Sequence, residues 1–365
     1  MELNQSNNIN YLSSGQGTPL YLIHGFPDCP ENFEHQINFF AERGFEVIVP
    51  YLPGYNENDQ ELDTYQTLRI AEVLIDFIES VSGEKKIFLY GHDWGAPIAY
   101  GIAQLRPDLI NKFSSASVPH GVNVQTAFLT NGDQQRMSWY MFFFQLPIAD
   151  VSVPLNEYEF IHRLWREWSP DLKEYKNYSE RVVSVLSKPG VLSKALAYYR
   201  STFQESLQLD RINQKSLELL SSKIQPACLY FHGKNDGCID YKLSIGMEEY
   251  FDNLEIKILE DCGHFLYIEK QNEKKSELIY HQIDNSSLFL GTANKEDRSS
   301  MNVTFTLTNE ALNETFNKML VEANINGLKG HRSVGGFRAS MYNAMPLESV
   351  SILVDIMKEL ENKKG

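Results

Sequence analysis

The sequence predicts an α/β fold: a mostly parallel sheet, a helical cap inserted into it, and a small α+β appendage at the C terminus. Short apolar runs alternate with segments of helical periodicity over residues 1–118, the order typical of a parallel sheet covered by helices. The alternation stops at Pro119 and resumes only near residue 227. Residues 291–365 carry no net charge, so the acidic excess lies upstream of them.

The bounds of the cap and the core, and the elements of the sheet, follow from the pattern of these apolar and helical segments. Residues 119–222 are too long for a structureless loop, and their aromatic residues and helical spacing predict the cap. The predicted core is therefore 1–118 together with 223–284. Predicted strands are 19–24, 45–50, 86–90, 113–118, 227–232 and 254–259, and predicted helices include 31–43, 67–81, 244–251 and 272–281.

Composition restricts the classes of function. The formal net charge of −15 argues against nucleic acid as a partner, because phosphate binding needs clustered Lys and Arg. None of the four cysteines forms a CxxC pair, which favours a reducing, cytoplasmic location. No signal peptide and no apolar run of about 18 residues is found, so no membrane span is expected.

The strongest chemical signal is Gly91-His92-Asp93-Trp94-Gly95, between a predicted strand and a predicted helix. This has the form of a nucleophile elbow, whose glycines allow a sharp turn that presents the central side chain. Asp93 could instead only cap the helix, but the preceding strand and both glycines favour a nucleophile. A carboxylate is ionised at neutral pH and can displace a leaving group at an sp³ carbon, giving an alkyl-enzyme ester.

Asp236 and His264 each follow a predicted strand, and the order Asp93, Asp236, His264 is nucleophile, acid, histidine. His264 would activate water to hydrolyse the ester, while Asp236 orients the imidazole. His264 alone would more simply be a hydrogen-bonded core residue; the order favours function. Asp240 is a close rival for the acid.

A loop with the sequence His24-Gly25-Phe26-Pro27 follows the first central strand. Backbone N–H groups of Phe26 and Trp94 are predicted to form the oxyanion hole of the hydrolytic step. An alternative, which is partly true as well, is that Gly25 and Pro27 only shape an ordinary loop.

Together these pieces resemble the α/β-hydrolases of the epoxide hydrolase and haloalkane dehalogenase group. The matching motifs are HGFPD (24–28), LPGY (52–55), GHDWG (91–95), GKND (233–236) and CGHF (262–265). The resemblance covers about residues 1–284. It implies an enzyme acting on a small apolar substrate, with neither cofactor nor metal.

The choice of substrate depends on the cap. Residues 139–147 and 198–200 resemble the two tyrosine sites of epoxide hydrolases, which would make Tyr140 and Tyr199 the proton donors to the epoxide oxygen. The chain has 19 tyrosines, so both could simply line the pocket. Haloalkane or haloacid dehalogenation by Asp93 is the alternative. Fluoroacetate dehalogenases share Phe at position 26, but they usually have Arg where Trp94 stands.

The C-terminal segment 298–365, after a predicted linker at 285–297, resembles the end of phosphoserine aminotransferase. The matching pieces are RSSMNV (298–303) and GLKGHRSVGGFRASMYNAMP (327–346). The resemblance implies a vestigial phosphate site at His331, Arg332 and Arg338. Transamination is not expected, because neither the cofactor lysine nor the large domain of that family is present.

Three interpretations of this segment stay open: a remnant fused to a hydrolase gene, an assembly artefact, or an interaction module. A segment cut from its family is expected to expose apolar residues. A function of a different class, a binding protein or non-catalytic fusion, also stays open.

Overall fold

The computed structural model describes residues 1–59, 61–269, 271–299, 302–330, 335–341 and 347–364. It divides into two compact units, Met1–Leu266 and Tyr267–Gly365. The second unit begins earlier than the linker predicted at 285–297.

The first unit is built on an eight-stranded sheet in the order β1-β2-β4-β3-β5-β6-β7-β8. The first two strands run antiparallel to their neighbours, and every pairing from β4 through β8 is parallel. This confirms the predicted fold class. The strands are β1 (Glu2–Ser6), β2 (Ile9–Ser14), β3 (Thr18–Ile23), β4 (Phe45–Pro50), β5 (Ile87–His92), β6 (Ile110–Ala116), β7 (Cys228–Gly233) and β8 (Leu254–Leu259).

Helices α1 (Glu34–Ala41), α2 (Thr67–Ser82) and α3 (Gly95–Leu105) follow individual strands of the sheet. Helix α2 forms because its apolar residues recur on one face, where they are buried. It ends at Gly83, whose φ of 61° is costly for other residues. Helix α3 packs on α2 and on β5, so the start of α3 is fixed against the sheet.

The segment predicted as a cap is helical and lies between β6 and β7. Helix α8 contains a left-handed turn at Asn156 to Tyr158. The helices are α4 (Gly121–Thr130), α5 (Gly132–Met137), α6 (Trp139–Phe143), α7 (Ala149–Ser152), α8 (Leu155–Trp168), α9 (Tyr175–Leu186), α10 (Val191–Phe203) and α11 (Asp210–Leu220).

The second unit combines a three-stranded antiparallel sheet, in the order β11-β10-β9, with helices. A short helix, α12, begins at the last residue of the first unit. The elements are α12 (Leu266–Glu269), α13 (Gln271–Asp284), β9 (Phe289–Gly291), β10 (Asn302–Leu307), α14 (Asn313–Glu322), β11 (Phe337–Ser340) and α15 (Leu347–Lys364).

This unit has its own hydrophobic core, in contrast to the expectation that its apolar residues would be exposed. Helix α13 contributes Ile279 and Ile283 to that core, which explains why the compact unit starts before residue 285. Phe305 lies at its centre and stacks on Phe337 with ring centroids 5.5 Å apart. Among the described residues only a few large apolar side chains of this unit stay exposed, namely Leu290, Val321 and Ile352.

Two local predictions differ from the structure. The helix predicted at 244–251 is replaced by two 3₁₀ turns, Tyr241–Ser244 and Met247–Tyr250. Gly246 between them has a φ of 87°, which interrupts a helix. The predicted linker contains β9, which pairs with β10.

Among the described residues no helix is both long and apolar enough to cross a bilayer.

Replacing Phe305 tests the core of the second unit. Phe305→Ala should lower the free energy of unfolding of the full chain by about 3–5 kcal/mol, because it leaves a cavity in a packed aromatic cluster. Far-ultraviolet circular dichroism is the readout, since all four tryptophans, the fluorescence probes, lie in the first unit. Leu290→Ala, on neighbouring β9 and 59% exposed, is the control and should change stability by less than about 0.5 kcal/mol. Equal losses for the two variants would contradict a separate core.

Candidate active site

Asp93 occupies the turn between β5 and α3, as predicted. Its φ of 52° is the left-handed conformation of a sharp turn, which a non-glycine residue adopts at a cost. The turn is tight enough that a Cβ on Gly91 would lie 2.0 Å from the carbonyl oxygen of Gly95. The two glycines therefore permit the turn, and the turn directs a largely buried carboxylate into the protein.

One oxygen of the Asp93 carboxylate is held by the loop after β3. The backbone N–H of Phe26 donates a hydrogen bond to Oδ1 at 2.7 Å. A Cβ on Gly25 would lie 2.2 Å from the same oxygen, so only glycine fits there. Oδ1 is therefore fixed, while Oδ2 faces His264.

His264 follows β8 and is fully buried. Its Nδ1 lies 2.8 Å from Oδ2 of Asp236, and its Nε2 lies 3.4 Å from Oδ2 of Asp93. Among the described residues Nε2 has no hydrogen-bond partner, so its contact with Asp93 is a charge interaction. Its backbone N–H donates to the carbonyl oxygen of Trp168 in the cap, at 3.0 Å.

Asp236 follows β7 and is anchored at both carboxylate oxygens. Oδ1 accepts hydrogen bonds from the backbone N–H groups of Cys238, at 2.7 Å, and Ile239, at 3.0 Å. Oδ2 contacts His264 and also lies 3.2 Å from Nε2 of His232. Although burial alone would raise the pKa of Asp236, the neighbouring His264 holds it well below its usual range.

The structure separates Asp236 from its rival Asp240. The side chain of Asp240 accepts a hydrogen bond from the backbone N–H of Lys242 and caps a 3₁₀ turn. Asp236 is the carboxylate that contacts the imidazole.

The two carboxylates determine the charge of His264. Burial alone would lower its pKa, but Asp236 and then Asp93 raise it from 6.5 to about 10. The raised pKa therefore favours the imidazolium form of His264 in the resting protein, with a carboxyl group on either side of the ring. Esterification of Asp93 would remove one of these charges and lower the pKa of His264, which would make it a base when water must be activated.

Tyr140 of α6 and Tyr199 of α10 lie together in the cap, with ring centroids 5.7 Å apart. Both are almost completely buried, and burial followed by nearby groups that include Asp93 raises both pKa values well above 10. Both phenols are therefore protonated at neutral pH. The hydroxyl of Tyr199 has no hydrogen-bond partner among the described residues, whereas that of Tyr140 lies 3.2 Å from Sγ of Cys238.

Aromatic side chains surround these groups. Trp94 contacts the ring of Tyr199 at 5.1 Å, and Phe26 does so at 5.4 Å. Phe26 also supplies the N–H to Asp93, one of the two predicted oxyanion-hole donors. The N–H of Trp94 stays a prediction in this role.

Cys238 and His232 were not singled out in the sequence. Cys238 follows Asp236 by two residues, and its Sγ lies within 4.8 Å of ligand atoms of both Asp93 and His264. His232, in β7, shares a hydrogen bond of 2.6 Å between its Nδ1 and the hydroxyl of Tyr230. Its Nε2 lies 3.2 Å from Oδ2 of Asp236, so His232 helps to hold that carboxylate in place. Their position within four residues of Asp236, a predicted catalytic residue, was the available signal.

The predicted phosphate residues of the second unit are less completely described. His331 and Arg332 lie outside the described residues. Arg338 is an exposed residue of β11, and its backbone N–H donates to the carbonyl oxygen of Leu328 at 2.7 Å. A phosphate site stays a prediction.

The sequence profile described as alpha/beta hydrolase fold matches residues 18–271, and the chain belongs to that family. Its fold is similar to that of an epoxide hydrolase from Bacillus megaterium, with a TM-score of 0.62 and 23% identity, covering 77% of this chain and 99% of that one. Epoxide hydrolase I of potato (Solanum tuberosum) gives a TM-score of 0.61 and 21% identity, covering 78% and 98%. At these identities the likeness establishes the fold.

Part of the chain also matches relatives of a different family. A phosphoserine aminotransferase of Flavobacterium psychrophilum is 57% identical over 114 residues, which are 31% of this chain and 32% of that protein. One from Buchnera aphidicola is 40% identical over 154 residues, 42% and 43% of the two chains. This chain thus spans a third to under a half of these relatives. Each match is longer than the predicted segment 298–365, so the resemblance extends beyond it.

The protonation of His264 can be measured directly. In the full chain with ¹³C-labelled histidine, the His264 imidazole should titrate near pH 10 by NMR. Asp236→Asn should lower that midpoint by more than about one unit, because it removes an adjacent charge. Asp240→Asn is the matched control and should leave it unchanged.

A pKa raised on folding stabilises the protein fully below about pH 6.5, and this contribution is lost as pH rises through about 10. A wild-type midpoint near 6.5 would contradict the buried ion pair.

Proposed function

We propose that the first unit is a hydrolase of the epoxide hydrolase type, which converts an epoxide to a diol. The observation that carries the proposal is the pair of buried tyrosines, Tyr140 and Tyr199, whose rings lie 5.7 Å apart and whose pKa values are raised by burial and also by the charge of the nearby Asp93. An epoxide oxygen needs a proton as its C–O bond breaks, whereas a departing halide does not. The tyrosines thus favour an epoxide over an organohalide.

In the first step, Oδ2 of Asp93 attacks an epoxide carbon, and the C–O bond of the ring breaks. Tyr140 or Tyr199 donates its proton to the released oxygen, giving a hydroxyl group. The product of this step is an ester between Asp93 and the alkyl group.

In the second step, the resting proton of His264 passes to the tyrosine that lost its own, so that His264 can remove a proton from water as the water attacks Cγ of Asp93. Negative charge then develops on Oδ1, the oxygen that already accepts a hydrogen bond from the N–H of Phe26. Asp236 stabilises the imidazolium that forms. Collapse of the intermediate passes the remaining water proton to the departing alkoxide, which releases the diol and restores the Asp93 carboxylate.

No transaminase activity is proposed for the second unit. The chain spans only a part of the aminotransferases it matches, and residues 18–271 match another family.

Trapping of the ester tests the nucleophile and the base. With an epoxide panel, His264→Gln should accumulate a covalent adduct on Asp93, visible by intact mass spectrometry and peptide mapping, because its water-activating group is gone. Asp93→Asn should form no adduct and lose turnover. Asp240→Asn, the control, should retain turnover. An adduct from haloalkanes or haloacids but from no epoxide would replace this proposal with dehalogenation.

The proposed proton-donor role of Tyr140 and Tyr199 can be tested with the neighbouring Tyr198 as the control. Tyr140→Phe combined with Tyr199→Phe should lower the rate of ester formation by roughly 100-fold or more, because both proton donors are lost. Each single variant should lose less, since one donor remains. Tyr198→Phe is the matched control, because the Tyr198 hydroxyl is committed to the carbonyl oxygen of Pro53 at 2.7 Å. Single-turnover kinetics measure the step, and an unimpaired double variant would remove the reason to prefer epoxides.

A further inference from the structure

Three side chains of different chemistry converge at the active site. One ligand atom each of Asp93, Cys238 and His264 lies within 4.8 Å of the other two, and all three residues are buried. Carboxylate oxygen, thiolate sulfur and imidazole nitrogen are the donors that bind zinc in proteins. The proposed hydrolysis uses two of them, whereas the thiol, which contacts the hydroxyl of Tyr140 at 3.2 Å, takes part in neither chemical step.

The imidazole is oriented as in a metal-binding histidine. Nδ1 of His264 is held by Asp236, so Nε2 is the nitrogen that faces Asp93. Nε2 is fully buried and has no hydrogen-bond partner in the part of the chain that the structure describes. A carboxylate on the far nitrogen is the usual outer partner of a zinc-bound histidine, because it fixes the ring and strengthens the donor.

We propose that Asp93, Cys238 and His264 form a binding site for one Zn²⁺ ion, and that this ion reversibly inhibits the hydrolase. The inhibition part rests on the proposed function; the binding site does not.

The distances require only a small rearrangement. Zinc bond lengths of about 2.0 to 2.3 Å in a tetrahedron place ligand atoms about 3.5 Å apart. Asp93 and His264 already meet this separation at 3.4 Å, so the thiol of Cys238 has to approach by roughly 1 Å. The fourth position remains for a water molecule.

The protons and charges balance when Zn²⁺ binds. Zn²⁺ displaces one proton from the Cys238 thiol and one from Nε2 of His264, and both protons pass to solvent. The bound ion then neutralises the carboxylate of Asp93 and the new thiolate. Asp236 remains ionised and pairs with the zinc-bound imidazole.

Zinc at this position would stop both chemical steps. Oδ2 of Asp93 could not attack while bound to the metal, and Nε2 of His264 could not accept a proton. The inhibition should therefore be complete at saturation and reversible by a chelator.

Direct binding of Zn²⁺ alone to the chelator-treated full chain tests the site, by competition with a chromogenic chelator. One equivalent should bind to the wild type, and Cys238→Ala should weaken it by roughly 100-fold, because a ligand is lost. Cys228→Ala is the matched control, since that buried thiol contacts Ser115 instead. Equal affinity in all three proteins would overturn the proposal.

A second measurement needs no variant. Co²⁺ in place of Zn²⁺ should produce the near-ultraviolet charge-transfer absorption of a cobalt–thiolate bond, and its absence in a saturated wild-type chain would overturn the site. For inhibition, loss of epoxide turnover at one equivalent and its recovery with chelator support the proposal, whereas full turnover of the zinc-loaded enzyme contradicts it. If no epoxide is turned over at all, the proposed function fails, while the binding and cobalt results still decide the zinc site.

Discussion

The active site depends on one buried cation, the His264 imidazolium between Asp93 and Asp236. Burying an isolated charge is strongly unfavourable, and two flanking carboxylates offset that cost. In the proposed mechanism, the same arrangement would set the order of the two steps. While Asp93 is free, His264 would be charged and could not act as a base; once Asp93 was an ester, only Asp236 would remain to hold the proton. Attack and hydrolysis would thereby be separated by electrostatics.

The cap also takes part in holding the catalytic loops. The carbonyl oxygen of Trp168, at the end of α8, accepts the backbone N–H of His264 at 3.0 Å and that of Gly237 at 3.1 Å. The loops that carry Asp236 and His264 are thus tied to one atom of a cap helix. A change in the position of that helix would therefore move both loops, because all three are joined by hydrogen bonds.

Much of the fold was predictable, because apolar runs and glycine turns are local. Asp93, Asp236 and His264 could be predicted since each follows a strand of the same sheet edge. The contact of Cys238 with Tyr140 could not, because it joins a core loop to a cap helix across 98 residues of sequence. The predicted helix at 244–251 was wrong because the spacing of apolar residues gives no sign that Gly246 adopts a left-handed conformation. Polar β1 escaped prediction because it is a largely exposed edge strand.

Helix α13 depends on residues that follow it in the chain to bury its apolar face. Its Ile279 and Ile283 are covered by strands and helices encoded downstream of residue 285. A ribosome that stopped there, or a protease that cut there, would release a helix with a bare apolar stripe. Chaperones and cellular proteases recognise such surface, so incomplete copies should be cleared quickly. The appended segment would then decide how long the hydrolase survives in a cell, even without any chemistry of its own.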